Sequence, residues 1–391
     1  MEYFKEEGRS MKPSIITYLD DEKFLDSIKG AGINDIILEP IGLARMGRLN
    51  KEKLISLALA CREFGITPLL QWDILMTEEV FKKAVTFFKE LPLHLFKAVR
   101  VQDSGAAHYI RTHFPDIKIH LILETGHHNW EGIQGWMDYL GDQLERVVLS
   151  LELSKGILKK YLKKIPCETE ILGIGRILLF YTPRNLVSPH FEMPEEFYEV
   201  RASSEETPHK NFPIVENRHG TFMYHPKGHD LLGDRNELGE MGLDFLRLDF
   251  KHTDQMLIFE KLKTCLPSNL EDIKEYFSQK FIKGFFKANK SDVLFKKLKN
   301  HRIQRKDEDY LGDVVEVVKK KHIAIHLKNP KVSLSAQDLI EFRTPEGKIK
   351  DQRVGFLKNA LLEDLSLGQS GQIVFVPHLG SISVRTAVYK K

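Results

Sequence analysis

Carboxylates, amides and cations recur where short apolar runs end in this 391-residue chain. Glu39, Trp72 with Asp73, Gln102 with Asp103, Glu124, Glu152, Arg176, and Asp249 with Lys251 each close such a run. Carboxylates held close together shift each other's pKa and can divide the roles of acid and base. Glu124, Asp103, Glu39, Glu152 and Asp249 are therefore the candidate catalytic residues. Arg176 and Lys251 are candidates for balancing them or for holding an anionic substrate, with Gln102 and Trp72 beside them. Solvation alone also selects polar strand ends, so the fold must decide between the two readings.

Metal and nucleophile chemistry have thinner support. His127 and His128 follow one run, and His225, His229 and Asp230 lie farther along. Imidazoles with a carboxylate can bind a metal, which makes His127, His225, His229 and Asp230 the candidate ligands. Surface histidines without such a role are common, and no His-Glu-x-x-His helix is present. A Gly-x-Ser-x-Gly elbow is also missing. Cys61 falls on the inward face of an amphipathic stretch, where a thiol is usually core. Cys167 follows Pro166 ahead of a strand-like run.

A basic tract runs from Gln279 to Lys306, with Asp292 its only acid and Phe281, Phe285 and Phe286 interleaved. Cations with aromatics suit phosphate contact and base stacking, so Lys287, Lys290, Lys296, Lys297 and Arg302 are candidate RNA contacts. The same pattern also describes a linker whose phenylalanines pack while its lysines are solvated.

These residues need elements to position them. Strand-like runs cover Ser14–Tyr18, Asp35–Glu39, Thr67–Trp72, Ala98–Gln102, Lys118–Glu124, Arg146–Glu152, Thr169–Leu178 and Phe245–Phe250. Helix-like segments such as Lys51–Phe64 and Glu78–Lys89 lie between them; Leu54, Leu57, Ala58 and Cys61 share one face, and Gly65 follows as a helix stop. Eight strands alternating with helices predict a (β/α)₈ barrel over residues 1–268. An open doubly wound sheet is the rival, but no Gly-x-Gly-x-x-Gly turn follows the first strand. Residues 187–240 form a proline-rich insertion, with a hairpin over Phe212–Tyr224 turning near His219-Gly220. Leu270–Phe285 reads as helical within a basic linker, 269–308. Residues 309–391 carry short β-type runs that predict a small β-barrel or sandwich.

Composition sets outer bounds. A chain of this length has room for two domains. The net charge of +3 favours no partner. No run approaches the apolar length of a membrane span. The N-terminus is acidic and polar rather than basic then apolar, and three scattered cysteines make no disulfide framework. A cytoplasmic, reduced protein is the simplest expectation; oligomeric state and substrate are not set.

Several segments together resemble the collagenase-like peptidase family U32. They are Ile171–Ser188, Val101-Gln102-Asp103, Ile119-His120 followed by Asn129 and Glu131-Gly132, Glu216-Asn217-Arg218-His219-Gly220, Arg247-Leu248-Asp249-Phe250-Lys251, and Tyr310–Val314. The likeness covers nearly the whole chain and implies a barrel, an insertion before the last strand and a small C-terminal β domain. It implies a substrate-side role for Asn129 and Tyr181. Many family members resemble hydroxylation proteins acting on RNA bases, and others act on a quinone precursor. Several hold a four-iron four-sulfur cluster on four cysteines. Two of those positions hold Leu178 and Asn185 here, the third lies in the insertion, where no cysteine occurs from Val187 to Glu240, and the fourth falls near Asp230, beside Lys227. Clusters need thiolates, so no family-type cluster and no other cofactor is expected.

Three functions follow as expectations. The first is an RNA-associated protein, either a cluster-free modifying enzyme or a degenerate binder, whose barrel mouth takes a base or a small anionic metabolite. The second is a hydrolase or peptidase using barrel-mouth carboxylates. The third is a non-catalytic scaffold.

Overall fold

The protein is described by a computed structural model for residues 12–124, 127–190, 197–203, 211–251, 255–265, 270–277, 279–287, 307–344 and 348–391. The candidates Lys290, Lys296, Lys297 and Arg302 lie outside the described residues.

Short runs of alternating or continuous apolar residues form the staves β1 (Ser14–Tyr18), β2 (Asp35–Leu38), β3 (Thr67–Trp72), β4 (Ala98–Val101), β5 (Lys118–Ile122), β6 (Leu144–Val148) and β7 (Glu168–Thr182). Three further strands, β8 (Phe197–Ala202), β9 (Phe212–Asn217) and β10 (Gly220–Asp230), precede the last stave, β11 (Phe245–Leu248). The parallel order is β11-β1-β2-β3-β4-β5-β6-β7, and β7 pairs back to β11. The sheet is a closed eight-stranded barrel, as the alternation predicts.

Helices α1 (Leu25–Gly30), α2 (Lys51–Glu63), α3 (Glu78–Lys89), α4 (Ser104–His113), α5 (Trp130–Leu140), α6 (Lys155–Leu162), α7 (Arg235–Glu240) and α8 (Gln255–Cys265) follow the staves. On α2 the buried residues are Leu54, Leu57, Ala58 and Cys61. Side-chain caps start four of these helices: Asn50, Thr77, Asp103 and Asn129 accept from the N–H groups of Lys53, Val80, Ala106 and Gly132. A capped helix start satisfies an otherwise orphaned donor.

The barrel interior is divided by chemistry. Ile16, Tyr18, Ile37, Leu69 and Ala98 form an apolar cluster with Phe245 against it. Buried with them are Arg100, His120, Arg146, Glu170 and Arg247.

Strand β7 runs on past the barrel, four residues beyond the expected end at Leu178, and pairs antiparallel with β10. Strands β10, β9 and β8 continue this ribbon, with the β9–β10 turn at Arg218-His219 as expected. Gly220 has φ +115°, and a Cβ there would lie 2.0 Å from the Thr182 carbonyl oxygen. Glycine fits this close approach where other residues do not.

The expected helix over Leu270–Phe285 is not formed. One 3₁₀ segment covers Leu270–Tyr276, and then a short strand, β12 (Phe281–Ile282), pairs with β10. Leu270, Ile273, Phe277 and Phe286 are buried in the barrel's outer core. Their anchoring, together with Gly284 at φ +52°, makes this segment a strap rather than a helix.

The chain divides into two compact units after Lys290. In the second, β13 (Tyr310–Val318), β14 (His322–Leu327), β15 (Leu334–Ser335), β16 (Leu339–Arg343), β17 (Ile349–Arg353), β18 (Leu367–Gly368), β19 (Ile373–Pro377) and β20 (Ala387–Lys390) are antiparallel. They form a six-stranded sheet ordered β17-β16-β20-β13-β14-β19 and a β15–β18 pair. Leu311, Ile325, Phe342 and Val376 are among its core residues.

Candidate active site

The C-terminal ends of the staves open on a cavity of about 250 Å³. This is the face on which barrels of this type place their chemistry. Tyr18, Arg45, Glu124, Ser150, Glu152, Arg176, Tyr224, Arg247, Asp249, Lys251 and Phe285 line it, with Leu172, Ile177, Leu178 and Leu179 as an apolar wall.

Beneath the cavity a closed circuit of polar side chains runs from the lumen to the mouth and back. Glu170 has no exposed surface. Its two carboxylate oxygens accept from the two terminal nitrogens of Arg100, each at 2.7 Å. Nε of Arg247 lies 2.9 Å from Glu170 Oε1. Arg247 also ion-pairs with Glu124 and donates to the Tyr18 hydroxyl at 2.6 Å. Glu124 lies 3.8 Å from Arg45, whose Nε donates to Asp73 at 2.7 Å. Gln71 donates to Asp73 at 2.9 Å and accepts from Arg100 Nε at 2.9 Å, which closes the loop. Desolvating so many charges is costly, and each is retained only because its neighbours remain.

The circuit fixes protonation states. Burial raises the Asp73 carboxyl, but Arg45, Lys251 and hydrogen bonds from Arg45 and Gln71 outweigh that and hold it at about 2. Lys251 lies 3.0 Å from Glu39 and 3.6 Å from Asp249, over the Tyr18 ring at 3.8 Å. Burial opposes its charge, yet Asp249 and Glu39 prevail, so it stays an ammonium. Glu39 shifts upward too, because its own burial, with Asp73 and Asp249 nearby, outweighs Lys251. Burial likewise raises the Tyr18 hydroxyl, which stays protonated.

The rim ribbon is clamped to the loop that carries Arg45. Asn217 donates to the Arg45 carbonyl at 2.8 Å, and His219 Nε2 lies 2.7 Å from the Ile41 carbonyl. The Tyr181 hydroxyl accepts from the Leu75 N–H at 3.1 Å, and its ring stacks on Phe222 at 4.5 Å. Glu216 accepts from the N–H groups of Leu186, Val187 and Ser188 and lies 2.6 Å from the Thr221 hydroxyl. Burial raises its carboxyl, but the bonds from Ser188, Thr221 and Val187 win and hold it at about 2.

Of the residues singled out from the sequence, Glu124, Glu152, Asp249, Arg176 and Lys251 meet at the cavity. Glu39 lines an adjoining concavity that shares Tyr18 and Lys251. Gln102 and Asp103 are not among the lining residues, and Asp103 caps α4. Asn129 caps α5. Trp72 is buried on the outer side of its stave against Phe88. Tyr181 serves the rim clamp. Lys287 is exposed at the end of the strap. The sequence list lacked Tyr18, Arg45, Ser150, Tyr224 and Arg247 as site residues. Arg247 opens the family-like segment Arg247–Lys251, and Tyr18 ends β1; Arg45 lies in a loop with no pattern to mark it.

The candidate metal ligands do not come together. His127 lies beside Trp136, His225 bonds to Lys227, His229 is buried 3.1 Å from the Leu172 carbonyl, and Asp230 pairs with Lys274. Among the described residues one group has metal-ligand spacing, His120 with Glu145 and Glu168. Arg146 lies 2.8 Å from Glu168 and Lys97 3.5 Å from Glu145, so protein cations already face it. The donors do not fit a four-cysteine cluster either. Leu178 is part of the apolar wall, Asn185 is exposed, and the chain has three cysteines. Burial in α2 pushes the Cys61 thiol up to about 12.

Comparison with known proteins matches residues 43–294 to peptidase family U32. Over 92 residues the chain is 34% identical to tRNA hydroxylation protein P of Escherichia coli (strain K12), covering 23% of this chain and 20% of that protein. Over 144 residues it is 24% identical to tRNA hydroxylation protein P2 of Bacillus subtilis (strain 168), covering 34% and 45%. The chain thus spans about a fifth and just under half the length of these curated relatives. Among solved structures, the U32 peptidase Mk0906 gives a TM-score of 0.34 at 10% identity, over 44% of this chain and 73% of that one.

Proposed function

Because this chain belongs to peptidase family U32, we propose that it is an RNA-associated protein of the hydroxylation-related kind, in a cluster-free form, whose barrel mouth receives a single base. The observation that carries this reading is the makeup of the 250 Å³ cavity: Tyr18, Tyr224 and Phe285 beside cations that are each already matched by a carboxylate. Planar rings stack on aromatic side chains, and paired charges offer a neutral base hydrogen-bond donors and acceptors. The names of the curated relatives point the same way.

A small anionic metabolite is the other occupant considered, and it fits less well. Arg45, Arg176, Arg247 and Lys251 each face a carboxylate, so a bare anion would have to displace one. Hydrolysis by mouth carboxylates alone is also disfavoured, since Glu124 and Asp249 are held by cations.

Equilibrium binding of total RNA between 50 and 200 mM salt tests the reading, these being roughly the limits over which phosphate contacts reveal themselves. Salt-sensitive binding, with uridine or cytidine competing for the mouth, is the expected result. Salt-independent or absent binding would overturn it. Binding without any modified base in RNA recovered from cells would mark the degenerate, scaffold-like form.

A further inference from the structure

Three side chains on the β6 side of the mouth stand in line. The Ser150 hydroxyl lies 3.1 Å from Nε2 of His128, and Nδ1 of His128 lies 3.6 Å from a carboxylate oxygen of Glu152. Ser150 and Glu152 both line the cavity. Ser150 itself is fully buried in the wall of that cavity. The Glu152 N–H donates to Ser150 Oγ at 3.2 Å. That bond uses a lone pair of the oxygen, and with Nε2 of His128 unprotonated the hydroxyl proton goes to the imidazole. The Tyr161 hydroxyl donates to the His128 carbonyl at 3.1 Å and fixes the loop.

A serine beside a histidine is by itself an ordinary hydrogen bond. The third member and the cavity add to it. Ser150 is hydrogen-bonded to His128, and Glu152 stands 3.6 Å behind the imidazole, in the order of nucleophile, base and orienting acid that activates a serine. The same cavity holds Arg247 and Lys251, each already paired with carboxylates. Its wall of Leu172, Ile177, Leu178 and Leu179 offers an apolar surface to an acyl chain.

We propose that Ser150, His128 and Glu152 form an acyl-transfer site for esters of small apolar acyl groups, an activity separate from RNA association. Ser150 Oγ bonds to the carbonyl carbon while its proton passes to His128 Nε2. The bond from that carbon to the leaving alcohol oxygen breaks, and His128 returns the proton to that oxygen. Water then attacks the acyl-serine, gives its proton to His128, and releases the carboxylic acid as the serine is restored. Glu152 orients the imidazole and stabilises its charged form. No oxidant, reductant or metal enters the balance.

The full-length protein is treated with diisopropyl fluorophosphate and weighed intact, and hydrolysis of p-nitrophenyl butyrate is followed in parallel. One adduct per chain on the peptide bearing Ser150 is expected, with a burst of about one equivalent of p-nitrophenol. Ser150→Ala removes both, and His128→Ala lowers turnover by at least about a hundredfold. Ser150→Cys keeps the side chain's place and guards against a folding artefact. Its alkylation by iodoacetamide is expected to be faster than in the Ser150→Cys/His128→Ala double variant. A wild-type chain without adduct, an adduct on another residue, or unchanged turnover in Ser150→Ala overturns the proposal. If the adduct forms on a chain that binds no RNA, the RNA reading falls and this one stands.

Discussion

Arg100 and Glu170 face each other inside the barrel through two parallel hydrogen bonds of 2.7 Å, with 1% and 0% of their surfaces exposed. Removing one member of a buried pair strands the other's charge. Glu170→Gln leaves Arg100, Arg146 and Arg247 short of their shared carboxylate. It is expected to lower the unfolding free energy by about 3–5 kcal/mol. Urea denaturation measures this, and an unchanged midpoint would contradict the circuit.

His229 predicts a pH effect. Burial holds its imidazole down at about 4, against an ordinary 6.5. The folded state therefore stays neutral while the unfolded chain takes up a proton. Above about pH 6.5 His229 has no effect; from there to about pH 4 stability falls, by a total on the order of 3 kcal/mol. His229→Gln, which can still donate to the Leu172 carbonyl, should flatten that decline in denaturation curves at pH 7, 5 and 4.

Phe285 is the strap's contribution to the cavity, whereas Phe281 meets Phe277 at 5.2 Å and Phe286 is buried. If a base enters the mouth, Phe285→Ala should weaken nucleoside binding about ten- to a hundredfold, the equivalent of one lost stacking contact. Phe285→Tyr should keep it. Titration with uridine or cytidine followed by NMR separates the two; equal affinities would remove Phe285 from the site.

Lys280 and Lys287 are exposed on the same strap. Each, if it meets a phosphate, should reduce the slope of log affinity against log salt by about 0.7–0.9 when changed to alanine. A slope identical to that of the parent protein would place the phosphate contacts elsewhere.

Glu216 gathers three backbone N–H groups at residues 186–188. With Glu216→Gln the amide cannot accept all of them, and the segment should loosen. Trypsin cleavage after Arg184 is the readout, with circular dichroism showing the barrel intact. A variant as resistant as the parent would show that other contacts hold this rim.

The barrel was legible because each stave is a short apolar run ended by polar residues, and the helices between carry one inward stripe. The overshoot of β7 was less so, since past Leu178 its pairing partner is β10, which lies within the insertion. The strap misled because Phe277, Phe281 and Phe285 have helical spacing, yet Phe277 packs in the outer core while Phe285 lines the cavity. Glu124, Asp249 and Lys251 reached the mouth from the rule that stave ends face it. Asp103 and Asn129 obey the same rule and became caps, because the residue after a stave is also the residue before a helix, and an acid or amide serves either task. The ionic circuit was invisible: Arg100 and Glu170 are 70 residues apart, and nothing local in the sequence pairs them.

Strand β7 is one unbroken run of 15 residues, stave at its start and rim at its end. One lip of the entrance is thus continuous with the barrel wall, whereas the lip that carries Phe285 belongs to a separate segment held by Phe277 and Phe286.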